Sequence, residues 1–289
     1  MLRLRRNNKR RTYLVLVLLV LVLAVCFFVW HRYQQRQEYL RRQQEAAKQL
    51  REETTLKILE GWNTKQIAAE LERIGHPAAS SFLEAVSASS ALAYYQDFDF
   101  LADKPEDASL EGYLFPDTYR IYASSTAEEI IYPLLKNFGK KLTATMRADI
   151  ASQGKSIYEV VTMASLVEKE AAVDQGGNSD DAKIVAGIFW DRIKYGQRLE
   201  SCATLAYILG VNKPIYSEED TQIDSPYNTY RHDGLPPGPI ANPGLAALEA
   251  AIYPIYTQYN YFLTPTGSSS LVFSRTFEEH KANKLKYLQ

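Results

Sequence analysis

The 289-residue sequence predicts an α+β protein: an N-terminal transmembrane helix, a small strand–helix–helix module and a larger mixed α/β domain. Three observations carry this. A charge-free apolar run stands near the N-terminus. Helical periodicity recurs from residue 54 onward. A Pro/Gly/Asn-dense stretch and a β-rich hairpin pattern then interrupt it late in the chain.

The apolar run is Tyr13 to Trp30, 18 residues without a charge. As a helix at 1.5 Å per residue it spans about 27 Å, close to the hydrocarbon thickness of a bilayer. Arg3, Arg5, Arg6, Lys9, Arg10 and Arg11 precede it, so the positive-inside rule places residues 1–12 in the cytoplasm as a basic tail. Bulky residues stand where a cleavage site needs small ones, which favours an uncleaved anchor with the remainder outside the cytoplasm. Residues 31–53 are rich in Gln, Arg and Glu and read as a stalk or linker.

The module covers 54–100. A short strand and a turn at Gly61 lead to a helix capped by Asn63 or Thr64, with Ile67, Ala68, Leu71 and Ile74 as its apolar stripe. A second helix starts near Ser80 or Ser81 and runs through Phe82, Leu83 and Val86. In the larger domain, 101–289, Ala127–Thr143 and Met146–Ser152 read as helices. Ser156 opens an apolar helix, SIYEVVTMASLVEKEAA, and Asp180 or Asp181 caps another that closes at Gly196. Thr204–Leu209 is a short helix. Turn and extended chain follow from Ser225, a helix from Leu245, a hairpin over Tyr259–Ser274 and a terminal helix.

Charged residues make up 23% and the formal net charge is -1, so no global field points to nucleic acid. Cys26 sits in the apolar run and Cys202 far from it, so no disulfide is expected. His31, His76, His232 and His280 form no metal-ligand spacing; no metal and no cofactor are expected. Tyrosines number 20 against 11 phenylalanines, and their apolar faces with polar tips suit either carbohydrate surfaces or half-buried strands.

The chemically suggestive feature is an acid pair in the apolar helix. On a helical wheel Glu168 projects from the main apolar face, and Glu170 lies on its flank, nearer a helix end and a cleft. A carboxyl among apolar groups has its charged form disfavoured and can hold a proton near neutral pH, as a general acid must. The pattern also fits a solvated patch or an ion pair with Lys169 or Arg192.

The segments LEGYLFPDTY, MASLVEKEAA, IFWDRIKYGQRLES, PYNTYRHDGLPPGPIANPG and YFLTPTG with LVFS resemble the YceG-like family of endolytic murein transglycosylases, from Thr54 to the C-terminus. The resemblance implies a single-pass membrane anchor, a LysM-like accessory module and a catalytic domain outside the plasma membrane. It implies cleavage of MurNAc–GlcNAc bonds in nascent peptidoglycan glycan strands without water, leaving 1,6-anhydro-MurNAc ends and limiting strand length. Peptidoglycan synthases are implied neighbours.

By that resemblance Glu170 is the catalytic acid and base, whereas the wheel alone nominates Glu168 as the more buried. Glu170 is preferred because a catalytic acid must reach its substrate, with Glu168 as a supporting acid or the alternative catalyst. Tyr227, Asn228, Thr229 and Tyr230 match a family motif expected to touch substrate, with Asn228 as a donor to a sugar oxygen or an N-acetyl carbonyl or, alternatively, a turn former. Glu200 and Ser201 match a polar pair lining the cleft. Where family members commonly carry Asp-Pro, this chain has Cys202-Ala203, and its accessory portion is reduced to one strand–helix–helix unit. A catalytically silent glycan-binding or scaffold protein is the alternative reading, and a simple hydrolase a third.

Overall fold

The computed structural model describes residues 2–49, 52–87, 97–171, 179–213, 216–268 and 270–288; within the first helix it describes side chains at 19, 21 and 23–44 only. The chain divides into two compact units, 1–53 with 122–124, and 54–121 with 125–289.

The first unit is dominated by one helix, α1, Leu2–Gln49. Its side chains from Val25 to Trp30 are exposed. Among the described residues no helix is long and apolar enough to cross a membrane. The span expected at Tyr13–Trp30 falls in part on side chains outside the described set.

The strand β1, Glu53–Lys57, pairs with β2, Thr118–Tyr122. The helices α2, Thr64–Arg73, and α3, Ala79–Ser87, follow β1. Asn63 caps α2 in a reciprocal box with Gln66, each side chain accepting the other's backbone N–H. Ile67, Ala68 and Leu71 are buried from it. β2 was not expected: TYRIY lies inside the LEGYLFPDTYRI stretch that reads as a loop, and it alternates exposed and buried residues over only five positions.

Four long helices come next: α4 Ala127–Lys141, α5 Ala144–Ser152, α6 Ile157–Ala171 and α7 Ser179–Lys194. Ser156 and Glu159 close a capping box at the start of α6. Residues 160–168 of α6 are all buried, as an all-round apolar helix requires, and α7 and α10, Leu245–Ile252, pack against it. Between them lie α8, Cys202–Leu209, and a single-turn helix α9, Glu218–Thr221. The hairpin is β3, Tyr261–Leu263, antiparallel to β4, Val272–Ser274, with Phe262 opposite Phe273. α11, Phe277–Tyr287, ends the chain. One apolar cluster runs from Leu56 and Leu71 through Val167 to Leu248.

The polar join between the start of α2 and the loop before α10 is buried. Glu111 is 3% exposed, and its carboxyl accepts from the Thr64 N–H and hydroxyl and from the Asn242 amide. Burial pushes it up to about 7, against the pull of those donors. The folded-state value lies above the unfolded one of 4.5, so the folded protein binds the extra proton in between. Stability contributed by Glu111 is therefore full below pH 4.5 and lost as pH rises through 7. Glu111→Gln, which does not titrate, sets the reference. In urea unfolding across this window, wild type should lose about 3 kcal/mol relative to that variant; parallel curves contradict the assignment.

Candidate active site

The acid pair of α6 divides between two environments. Glu168 is 3% exposed, and its Oε2 accepts the Gly244 N–H at 2.9 Å. The Glu60 carboxyl lies against the same glycine, within 2.1 Å of where a Cβ at 244 would stand. Glu168 thus fastens the loop before α10 to α6, inside the protein.

Glu170 is two residues on and faces elsewhere. The side chain is half-buried and lines a cavity of about 290 Å³ with Arg192, Glu200, Ser201, Tyr230 and His280. Its Oε1 accepts from the Ser201 hydroxyl at 2.5 Å and, weakly, from the Ala203 N–H at 3.4 Å. Burial raises its pKa. The Ser201 and Ala203 donors oppose that first, then the charges of Arg192 and Lys169. The carboxyl holds its proton more tightly than a solvated glutamate and still opens onto a cavity.

The loop before α8 is held in an unusual path. Glu200 has φ 50, the one positive φ outside glycine among the described residues. Its N–H donates to the Thr229 carbonyl, and the Ser201 N–H donates to Thr229 Oγ1. Thr204 Oγ1 in turn donates to the Ser201 carbonyl and meets Thr229 Oγ1 at 3.0 Å. Thr229 is therefore the latch that presents Ser201 to Glu170. It is 2% exposed and does not line the cavity.

Asn228 takes the second of its two expected roles, that of a turn former. It is fully buried; both amide hydrogens go to backbone carbonyls, of Thr221 at 3.0 Å and Ile223 at 2.8 Å, and its Oδ1 accepts the Tyr230 N–H. No side-chain donor remains for a sugar. Its work is to fold the 221–231 loop so that Tyr230 reaches the cavity, where the phenol meets Cys202 Sγ at 3.1 Å. Tyr227 lies apart from Glu170, its ring 5.1 Å from that of Tyr207. Its hydroxyl, with that of Tyr158, crowds Gly238, where any Cβ would come within 2.4 Å of the Tyr158 oxygen. Of the expected residues, Glu170, Glu200, Ser201 and Tyr230 share the cavity; Glu168, Tyr227, Asn228 and Thr229 do not line it.

The other side of the cavity is built by Arg192, which the sequence offers only as an ion-pair partner of the acid pair, and by His280, which it does not single out for the site. Arg192, in the last turn of α7, donates to the Leu199 carbonyl at 2.5 Å and the Asn260 carbonyl at 2.7 Å, and its charge acts on Glu170 and Glu200. His280 from α11 stacks on Tyr261 at 5.3 Å, is 8% exposed, and has its pKa lowered by burial and by the Lys284 and Arg192 charges. The sequence holds no spacing signal for it: Glu170 and His280 are joined only by the fold. Among the described residues no group of three or more His, Cys, Asp or Glu side chains could hold a metal.

A sequence model of the YceG-like family matches residues 32–286. An endolytic murein transglycosylase of Bacillus subtilis (strain 168) is 38% identical over 180 residues, 62% of this chain and 48% of the relative. One from Streptococcus pneumoniae (strain D39) is 32% identical over 255 residues, 81% of this chain and 44% of the relative. The chain thus spans less than half the length of these curated relatives. A crystal structure of a yceG-like protein from Listeria monocytogenes superposes with a TM-score of 0.70 at 34% identity, covering 80% of this chain and 76% of that one.

Removing a donor that favours the charged form raises a carboxyl's pKa further. In Ser201→Ala the Glu170 titration midpoint should therefore move to higher pH. Carboxyl-carbon NMR of wild type and variant reads this directly, and an unchanged or lowered midpoint contradicts the hydrogen bond.

Proposed function

The chain belongs to the YceG-like family, and we propose that it is a membrane-anchored lytic transglycosylase that cleaves MurNAc–GlcNAc bonds in nascent peptidoglycan strands and so limits their length. One observation carries the reading. Burial raises the pKa of the Glu170 carboxyl, and the side chain stands in the lining of an open cavity.

In this reading Glu170 gives its proton to the glycosidic oxygen as the C1–O bond breaks. Its carboxylate then takes the proton from the C6 hydroxyl of the same MurNAc, and that oxygen bonds to C1. The acid is restored and no water is consumed. One carboxyl does both steps, unlike the paired carboxyls of ordinary glycosidases. Ser201 holds the carboxylate between the steps. Glu168, bound to Gly244 and 3% exposed, is the supporting acid and not the catalyst.

The anchor is part of the proposal. Eighteen uncharged residues, Tyr13–Trp30, lie within the continuous helix α1, and six cations precede them. That supports a single-pass orientation with the N-terminus cytoplasmic and the domain from Thr54 outside the plasma membrane. β1, α2 and α3 are the candidate LysM-like module, and wall synthases its plausible neighbours by family analogy.

Mass spectrometry of products from uncross-linked glycan strands tests this. Wild type should release anhydro-muropeptides, and Glu170→Gln should lose at least about 100-fold of that rate while melting normally. Reducing MurNAc ends instead indicate a hydrolase, and no products from wild type a silent glycan binder. Loss confined to Glu168→Gln reverses the residue assignment.

A further inference from the structure

A second cavity, of about 240 Å³, lies on the other side of the first turn of α8. Ala203 separates the two: it lines this cavity while its N–H reaches Glu170 Oε1. Lys169, one residue before Glu170 on α6, lines it from one side, and Lys65 from the first turn of α2 lines it from another. Lys169 Nζ lies 3.3 Å from the Gly61 carbonyl and remains exposed, as does Lys65.

The rest of the lining has matching chemistry. Among the described residues around this cavity there is no Asp or Glu. Asn63 and Gln66 also border it, and the α2 capping box takes up the side-chain oxygen of each, so these two amides offer their NH₂ ends. The phenol of Tyr207 adds a hydroxyl. Two ammonium groups, two amide donors and no carboxylate make a site for an anion.

We propose that this cavity binds a carboxylate of the stem peptide carried by the muramyl residue next to the scissile bond, with Lys65 and Lys169 as the cations that read it. The proposal rests on the transglycosylase reading. A strand whose reacting bond sits at Glu170 carries its neighbouring units past α8, and a substituent on one of them enters at Lys169. Stem peptides are the anionic appendages of such a strand. On a strand stripped of peptides, the lactyl carboxylate is the remaining source of the same chemistry.

The test uses full-length protein, in wild-type, Lys65→Gln, Lys169→Gln and doubly substituted forms. Substrates are uncross-linked strands bearing tetrapeptides, the same strands with peptide carboxyls amidated, and peptide-free strands. Wild type should show a kcat/KM about tenfold higher on the first than on either other substrate, chiefly through KM, and the double variant should lose most of that ratio. Equal wild-type kcat/KM on all three, or a preference that persists in the double variant, overturns the proposal. A wild-type preference for peptide-free strands reassigns the site to the lactyl carboxylate. A binding arm stands apart from turnover: calorimetry of Glu170→Gln with a soluble disaccharide-tetrapeptide and its amidated form. About tenfold weaker binding of the amidated form supports the site even if wild type cleaves nothing, a result that would sink only the transglycosylase reading; equal binding overturns the site.

Discussion

Asn242 has no exposed surface and spends every polar atom on another segment of the chain. Its Oδ1 accepts from both Gly112 and Leu114, its amide donates to Glu111 and the Trp62 carbonyl, its N–H donates to the Trp62 carbonyl, and its carbonyl accepts from Gly61. Two stretches, each more than 100 residues from Asn242 in sequence, meet at this one residue. In a dry interior each of these bonds is strengthened, and losing one partner strands several others. Gly112 shows how tight the join is: its φ is +90, and a Cβ there would stand 2.6 Å from Pro239 and 2.7 Å from Val161.

From that join the loop preceding α10 is laid along α6. Ser165 Oγ accepts the Ile240 N–H, and Glu168 accepts the Gly244 N–H, so two polar residues three apart on one helix face fasten consecutive turns of the loop. This answers why α6 carries polar side chains through its buried middle: they satisfy a backbone that has no sheet to pair with. Glu170, two residues beyond Glu168 and so about 200° around the helix, escapes that role and faces the cavity. The two glutamates differ in function because helix geometry sends them to opposite neighbours.

The helix α6, the cap of α2 at Asn63 or Thr64 and the late hairpin were readable in the sequence because each is a local pattern: periodicity, a cap residue before an apolar stripe, β-rich runs around a Gly-Ser turn. β2 was not, since five residues after a proline give too short an alternation to stand out, and its partner β1 lies some sixty residues away. The wheel placed Glu168 inside and Glu170 at the flank, and their burial follows it. For Asn228 residue type left two roles open: an amide in a turn-rich loop looks equally ready for a sugar or for backbone, and the fold gives it to the carbonyls of Thr221 and Ile223. Arg192 stands in the IFWDRIKYGQRLES segment but reads there only as an ion-pair partner, and His280 carries no motif; they enter the site because α7 and α11 pack where they do.

The departure at Cys202-Ala203 acquires a physical meaning beside Glu170. A proline at 203 would have no N–H and could not reach the carboxyl, whereas alanine supplies one at 3.4 Å. The aspartate common at the preceding position would have set a negative charge near Glu170 and raised its pKa; here a cysteine stands, close to the Tyr230 hydroxyl. Both changes act in one direction, toward a less tightly held proton than the Asp-Pro arrangement gives. Burial offsets them and leaves the Glu170 pKa raised. The raised pKa of Glu170 therefore comes from its enclosure by α6, α8 and the hairpin side of the cavity. Arg192 secures that enclosure by holding the carbonyls of Leu199 and Asn260 together, even as its charge favours the carboxylate. One guanidinium thus works in two opposed ways, closing the cavity that raises the pKa and supplying the charge that lowers it.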